Sequence, residues 1–216
     1  MGAQGSKVSQ IREQVLRRAA SCPHERCPLN AKLRQFPLQT HGALGSPYVL
    51  IGEAPGESSL EAGRPWTGPA GQALRTMFNS ACLRHDLTDL QLEDVFFLTD
   101  LVRCHPLRPG GGNRAPLAPE WRACAPYLAE ELGADEPRVV LVAGYRNAAR
   151  IKAALDVDTT DFHAVGWQGA GGRIYRFQHP SPINPTSKTL GYRVAVTELF
   201  SRVLSDRLDQ SAGGQA

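Results

Sequence analysis

The chain has 216 residues, 42% of them hydrophobic and 21% charged, which is ordinary for one globular domain with a single core. Its formal net charge is only +3. No run reaches the length of about 18 apolar residues that a transmembrane helix needs, so we expect no membrane span. The N-terminus lacks the apolar core of a secretory signal. We therefore expect a reducing, cytoplasmic compartment and cysteines without disulfides.

The distribution of charge is more informative than its total. Residues 1–34 hold seven Lys or Arg side chains against two glutamates, and more arginines follow between residues 103 and 122. Acidic residues gather elsewhere, as in "AEELGADEP" at 129–137. A basic face is compatible with nucleic-acid binding, and a solvated helical face explains the charge alone equally well.

Short apolar runs predict four buried strands, and segments with helical spacing predict five helices. The strands are "YVLIG" at 48–52, "VFFLTDLV" at 95–102, "RVVLVAG" at 138–144 and "RIYRFQHP" at 173–180. The helices lie at 8–20, 69–83, 117–132, 145–155 and 188–208.

Strands that alternate with helices favour an α/β fold: a three-layer α/β/α sandwich around a central, mainly parallel four-stranded sheet. We expect one domain over residues 1–209, which begins with a helix and a cysteine segment. Residues 210–216 are predicted to form a disordered tail.

In such a sheet, ligands bind at the carboxyl ends of the strands. Three predicted strands end there in polar or glycine-rich segments: "GEAPG", "TDLVRCHPLRPGGGNR" and "QHPSP". The first lacks the spacing of a P-loop or a dinucleotide-binding motif. It leads into a loop whose Trp66 is either a surface anchor or the wall of a pocket. His179 is either a structural histidine or a donor to an oxygen that gains negative charge.

Four of the five cysteines form two pairs, Cys22 with Cys27 and Cys104 with Cys124. Four thiolates from two segments suit zinc or an iron–sulfur cluster, and scattered buried thiols are the alternative. Cys82 stands at helical spacing and is predicted to be a small core residue.

Together these segments resemble one family. "GEAPG" and "GRPWTGPAG" within residues 52–71, "TDLVRC" at 99–104, "GNRAP" at 112–116 and "HPSP" at 179–182 occur in this order. The set is similar to the iron–sulfur-containing family 4 of the uracil-DNA glycosylase superfamily, over about residues 22–204. The resemblance implies that superfamily's fold. It also implies an enzyme that flips a deaminated base, uracil first, out of DNA and hydrolyses its N-glycosidic bond.

The resemblance also implies residue roles. The catalytic residues would be Glu53, which stabilises the cationic sugar or orients water, Asn113, which helps to place that water, and His179, which donates to the base. The base-binding residues would be Gly52, Trp66, Asp100 and His179, with Trp66 stacking where the family has Phe. The ligands of a [4Fe–4S] cluster would be Cys22, Cys27, Cys104 and Cys124. The DNA contacts would be Arg103, Arg114, Ser181, Asn184 and Lys188.

Asp100 departs from the family, which usually has Asn at this position. Asn offers uracil both a donor and an acceptor, whereas an ionised Asp is acceptor-only and suits an exocyclic amine such as that of cytosine. A protonated Asp would still serve uracil, because its hydroxyl group donates. The C-x4-C pair and the added "RPGGG" are further departures.

The leading hypothesis is a monomeric DNA-repair glycosylase in a bacterial or archaeal cytoplasm, close to the nucleoid. Its alternative is an iron–sulfur protein of the same fold that has altered base specificity or binds damaged DNA without cleavage. A structural zinc protein is a third hypothesis. Relatives that capture their product covalently carry an inserted basic loop with a reactive histidine, which we do not find, and His105 is a poor match for it.

Overall fold

The structure is a computed structural model. It describes residues 27, 29, 40–106, 108, 112–133, 139–144, 146–147, 149–151, 162–164 and 173–213. The predicted N-terminal helix and Cys22 lie outside these residues. Within them, no helix is both long enough and apolar enough to cross a bilayer.

The described residues form the following strands and helices, in chain order. They are β1 His41–Gly42, β2 Tyr48–Gly52, α1 Glu57–Ala62, α2 Pro69–Leu83, α3 Leu92–Val95, β3 Phe97–Asp100, α4 Ala118–Gly133, β4 Val139–Ala143, β5 Phe162–Ala164, β6 Arg173–Phe177, a 3₁₀ turn Pro185–Lys188, and α5 Leu190–Gly213.

The strands form one sheet in the order β1-β3-β2-β4-β6-β5. Every neighbouring pair is parallel except β1 with β3. The α/β fold with a mainly parallel sheet is therefore confirmed. The strand count is corrected, because the described sheet has six strands and not four. The two additional strands are two and three residues long, too short to show a periodicity.

Both faces of the sheet are covered, and the pleat of the strands explains how. Tyr48 and Leu50 of β2 belong to the apolar core that α2 and α5 complete. Val49 and Ile51 belong to the opposite core, which includes residues of α4. Because successive side chains of a strand point to opposite faces, a continuous apolar run is what a doubly covered strand requires.

Two predicted boundaries change. Val95 ends the short helix α3, whose capping box joins Gln91 and Asp94, so the second strand begins only at Phe97. Helix α5 continues to Gly213, beyond its predicted end at residue 208. Gln210 gives the physical reason, since its side-chain amide donates to the Tyr48 hydroxyl at 2.7 Å.

Gly71 fixes the approach of helix α2 to the preceding loop. A Cβ atom at this position would overlap the backbone carbonyl of Trp66. We predict that Gly71→Ala lowers the free energy of unfolding by about 3 kcal/mol, since the loop must move.

The matched control is Gly191→Ala in helix α5, where an added Cβ meets nothing within 4 Å. This change should instead stabilise the protein by about 0.5–1 kcal/mol, because Ala favours the helix. Urea unfolding of both variants tests the pair, and equal effects would contradict the predicted overlap.

Candidate active site

A cavity of about 1060 Å³ opens at the carboxyl edge of the sheet, where β2, β3 and β6 end. This is the edge at which open α/β sheets bind ligands. The cavity brings together residues that are far apart in the chain. Among those predicted for catalysis or base binding, its lining includes Gly52, Glu53, Trp66, Asp100, Asn113 and His179.

The floor of the cavity is a close contact at Gly52, the last residue of β2. Gly52 pairs with Asp100, the last residue of β3. A Cβ atom on Gly52 would overlap Asp100 Oδ1 and stand 2.8 Å from Trp66 Cζ2. Glycine is therefore required at position 52 for the side chains of Asp100 and Trp66 to pack together against the end of β2.

Trp66 is held in a strained backbone conformation. Its φ is +62°, a region that bulky residues rarely adopt. Arg75 of α2 donates to its carbonyl and also contacts Glu93. The side chain is only 7% exposed, and its indole N–H has no hydrogen-bond partner among the described residues. A buried donor of this kind is costly unless water or a ligand accepts from it.

His179 faces Trp66 across the cavity, with ring centroids 6.3 Å apart and an interplanar angle of 20°. Its Nδ1 accepts from the backbone N–H of Ser181 at 3.2 Å. A neutral ring with that acceptor carries its proton on Nε2. Burial lowers the pKa of His179, and the nearby charge of Glu53 acts in the opposite direction. The site therefore favours a neutral imidazole that donates through Nε2.

Glu53 follows directly after β2 and is fixed by Arg150, whose Nη1 donates to its Oε1 at 2.9 Å. Both side chains are partly buried, at 27% and 19% exposure. Arg150 also reaches the carbonyl of Pro116. Glu53 also lines the cavity, so the ion pair with Arg150 holds its carboxyl group at this position.

Asn113 is held on the far side of the cavity. Its Oδ1 lies 2.6 Å from Nε2 of His105, a ring that is only 1% exposed. Its Nδ2 would stand 3.1 Å from a Cβ atom on Gly56. The carboxamide thus lies between a buried imidazole and the glycine loop.

The rim of the cavity is apolar at one point and basic at others. Ile183 lines the cavity and is 92% exposed, the most exposed of the large hydrophobic residues that the structure describes. Arg108 and Arg146 also line the cavity and are exposed.

The predicted DNA contacts fare differently. Arg103 is wrong as a phosphate contact, because its guanidinium is buried against Glu131 at 2.8 Å. Arg114 lines the cavity, but its guanidinium forms two hydrogen bonds to the buried Glu120. This pairing raises the pKa of Arg114.

Polar side chains of the loop after β6 form hydrogen bonds within the loop itself. Asn184 donates to Gln178 and to the carbonyl of His179, so its side chain stabilises the loop. Ser181 lines the cavity. Lys188 is exposed at the end of the 3₁₀ turn and is not among the lining residues.

Three of the predicted cluster ligands, Cys27, Cys104 and Cys124, are buried in the same apolar core. None of the described cysteines forms a disulfide. Cys82 lies in the opposite core, as the sequence predicts for a small core residue. In the described part of the chain, no three Cys, His, Asp or Glu side chains are grouped as metal ligands. The shared burial and the soft donor set of the three cysteines fit a thiolate-bound cluster.

The sequence profile of the uracil DNA glycosylase superfamily matches residues 39–200. The chain belongs to the uracil-DNA glycosylase superfamily. The match covers every strand of the sheet and each of the cavity residues discussed above. Membership therefore agrees with the fold and with the position of the cavity.

Several relatives carry the name type-4 uracil-DNA glycosylase. The chain is 36% identical to that of Pyrobaculum aerophilum over 124 residues, which are 57% of each protein. It is 33% identical to that of Saccharolobus solfataricus over 147 residues, 68% of this chain and 63% of the relative. It is 28% identical to that of Thermotoga maritima over 174 residues, 80% of this chain and 82% of the relative. The aligned part thus spans less than two thirds of the first two relatives.

The sequence did not predict the supporting roles of Arg150 and His105, which contact Glu53 and Asn113 but do not line the cavity. Arg150 belongs to a segment whose sequence predicts only a helix, and nothing in its spacing points to Glu53. The sequence raises His105 only as a nucleophile, a role that it matches poorly. Ile183 carried a signal that could have been read, since it stands between two turn-forming residues in "SPIN", where an apolar side chain has little core to join.

The lowered pKa of His179 predicts how stability depends on pH. Below the ordinary histidine pKa of about 6.5, the unfolded chain binds the proton more readily than the folded one. This difference in proton binding therefore has no effect on the free energy of unfolding above that pH. As the pH falls toward the pKa of the folded state, it lowers the free energy of unfolding progressively. Melting temperatures between about pH 7 and pH 5 should fall more steeply for the wild type than for His179→Gln. Parallel curves would contradict the burial of a neutral ring.

Proposed function

We propose that this protein is a DNA glycosylase that flips a deaminated base, uracil first, out of DNA and hydrolyses its N-glycosidic bond, leaving an abasic site. The observation that carries the proposal is the convergence of an indole, a neutral histidine and a paired carboxylate on one cavity at the carboxyl edge of the sheet. The names of the relatives support the same activity.

The flipped base would lie against Trp66. An aromatic face accepts any base by stacking, and each such contact is worth about 1–3 kcal/mol. The carboxylate of Asp100, packed against Gly52, would meet an edge of the base. The cavity thus supplies both a stacking wall and a polar reader, which is what recognition of an extruded nucleotide requires.

Bond cleavage leaves negative charge on the base, and His179 is suited to stabilise that charge by donating a hydrogen bond. Its Nε2–H donates while Ser181 occupies Nδ1. A neutral donor avoids the cost of burying an imidazolium ion before the reaction. A preorganised donor of this kind typically contributes about 10²–10³ in rate.

The sugar becomes cationic as the base leaves. Glu53, held in place by Arg150, would stabilise that charge and accept a proton from the attacking water. Asn113 would hold the oxygen of the same water through its amide N–H. The roles are complementary, because Glu53 would take a proton from the water while Asn113 holds its oxygen atom.

The rim supports DNA as the partner. Arg108 and Arg146 are exposed beside the cavity and are suited to phosphate groups. Ile183 stands almost fully in water at the same rim. Proteins that extrude or kink bases often insert such an apolar side chain into the stack.

An iron–sulfur cluster would be held by Cys22, Cys27, Cys104 and Cys124. A [4Fe–4S] cluster in this position would brace the segments that precede the cavity loops, with no redox step in the hydrolysis. The burial of three of these cysteines in one core supports the assignment.

A second candidate function has support from Asp100, which is 5% exposed at the cavity floor. As an ionised acceptor it would favour a base with an exocyclic amine and disfavour uracil O4, by about 1–3 kcal/mol. The same fold would then excise another base, or bind damaged DNA without cleaving it.

Base release tests these alternatives. Labelled oligonucleotides carrying uracil, cytosine, hypoxanthine or thymine at one site are incubated single-stranded or paired with guanine, and alkali reveals abasic sites. We expect release of uracil, with Trp66→Ala slower by about 10–100-fold and Trp66→Phe near the wild type. Release of cytosine or hypoxanthine alone, reversed to uracil by Asp100→Asn, would establish the second candidate. No release by protein that still binds the DNA would contradict the enzyme.

The cluster has its own test. Cys104→Ser should lose bound iron and the visible absorbance of the cluster, because a hydroxyl group is a poor replacement for a thiolate. Cys82→Ser, at a buried cysteine of the opposite core, is the matched control and should keep both. Purified wild type that contains zinc and no iron would contradict the assignment.

A further inference from the structure

We infer that His105 is a positioning residue for the glycosylase reaction, acting through Asn113, which it orients toward the attacking water. The inference rests on the proposed function, because it assumes that Asn113 holds that water. The observation that suggests it is the 2.6 Å contact between His105 Nε2 and Asn113 Oδ1.

The two partners differ sharply in their environment. His105 is 1% exposed, whereas Asn113 is exposed at the edge of the cavity. An exposed carboxamide on a loop would otherwise turn freely. A ring fixed in the core therefore determines which way the amide points.

The contact also selects which end of the amide faces the cavity. The proton of His105 must be on Nε2 for the ring to donate to Oδ1. Oδ1 is then occupied, and Nδ2 lies over Gly56 on the cavity side, 3.1 Å from where a Cβ atom would be. The amide N–H group is thus the end left for the water oxygen.

The loop that carries Asn113 is closed by neighbouring bonds. The backbone N–H of Arg114 donates to the carbonyl of Pro106 at 3.0 Å, and that of Arg108 donates to Gly112 at 3.0 Å. These bonds bring residue 113 back beside residue 105. They fix the backbone of the loop but leave the Asn113 side chain to His105, so the two effects are separable by mutation.

The test measures single-turnover release of uracil from a single-stranded oligonucleotide. His105→Leu keeps the volume of the ring and removes the donor, and should slow release by about tenfold. His105→Gln reaches Asn113 with an amide N–H group and should stay near the wild-type rate. His105→Asn has the same chemistry but is one carbon too short, and should resemble the Leu variant. The last two variants decide the question if the Leu variant does not fold.

A double-mutant cycle distinguishes positioning from a structural role. Asn113→Ala should slow release by about 10²-fold, and adding His105→Leu should change it no further, since no amide remains to orient. Effects that multiply in the double variant would overturn the inference. Equal rates for the Gln and Asn variants would overturn it as well.

Two controls separate a loss of positioning from a general loss of packing or of DNA affinity. His85→Leu removes a similar ring-nitrogen hydrogen bond, to Ser201 at 2.7 Å, from a histidine that is not part of the cavity lining. It should leave the rate unchanged. Affinity for an oligonucleotide with a 2′-fluorinated deoxyuridine, which resists cleavage, should be the same for the wild type and His105→Leu. A wild type that releases no uracil would refute the proposed function, whereas an active wild type with an unaffected His105→Leu would refute only this inference.

Discussion

The cavity depends on the missing side chain of Gly52. Strands β2 and β3 end side by side, and the space that any Cβ atom would fill is shared by the Asp100 carboxylate and the Trp66 ring. Without this contact the indole could not close over the end of β2. Because the protein interior is densely packed, the observed positions of Asp100 and Trp66 both require a residue without a Cβ atom at position 52.

Around this contact, the side chains proposed for catalysis are each held by a hydrogen-bond partner. Arg150, which follows β4, fixes Glu53 after β2. His105, which follows β3, fixes Asn113. The backbone of Ser181 fixes the ring of His179. Groups held in this way need little reorganisation when a substrate arrives, which is how a folded scaffold lowers a reaction barrier.

The sequence predicted the fold better than it predicted the supports of the site. The apolar runs of β2 and β4 stand out because strands covered on both faces have no polar alternation. The polar segments after β2, β3 and β6 then pointed to the carboxyl edge of the sheet, where Trp66 and His179 stood out, and the family resemblance added Asp100. Arg150 and His105 were not predicted, because a pairing between distant segments leaves no local pattern. Arg103 was misread for the same reason, since its partner Glu131 lies on helix α4.

The most direct test of the central claim is a crystal structure with a single-stranded oligonucleotide that carries 2′-fluorinated deoxyuridine. The account predicts the base inside the cavity, with its face on the Trp66 indole, His179 Nε2 within hydrogen-bond distance of O2, and Glu53 beside C1′ of the sugar. A uracil that remains stacked in the DNA, with the cavity facing away from it, would contradict the claim.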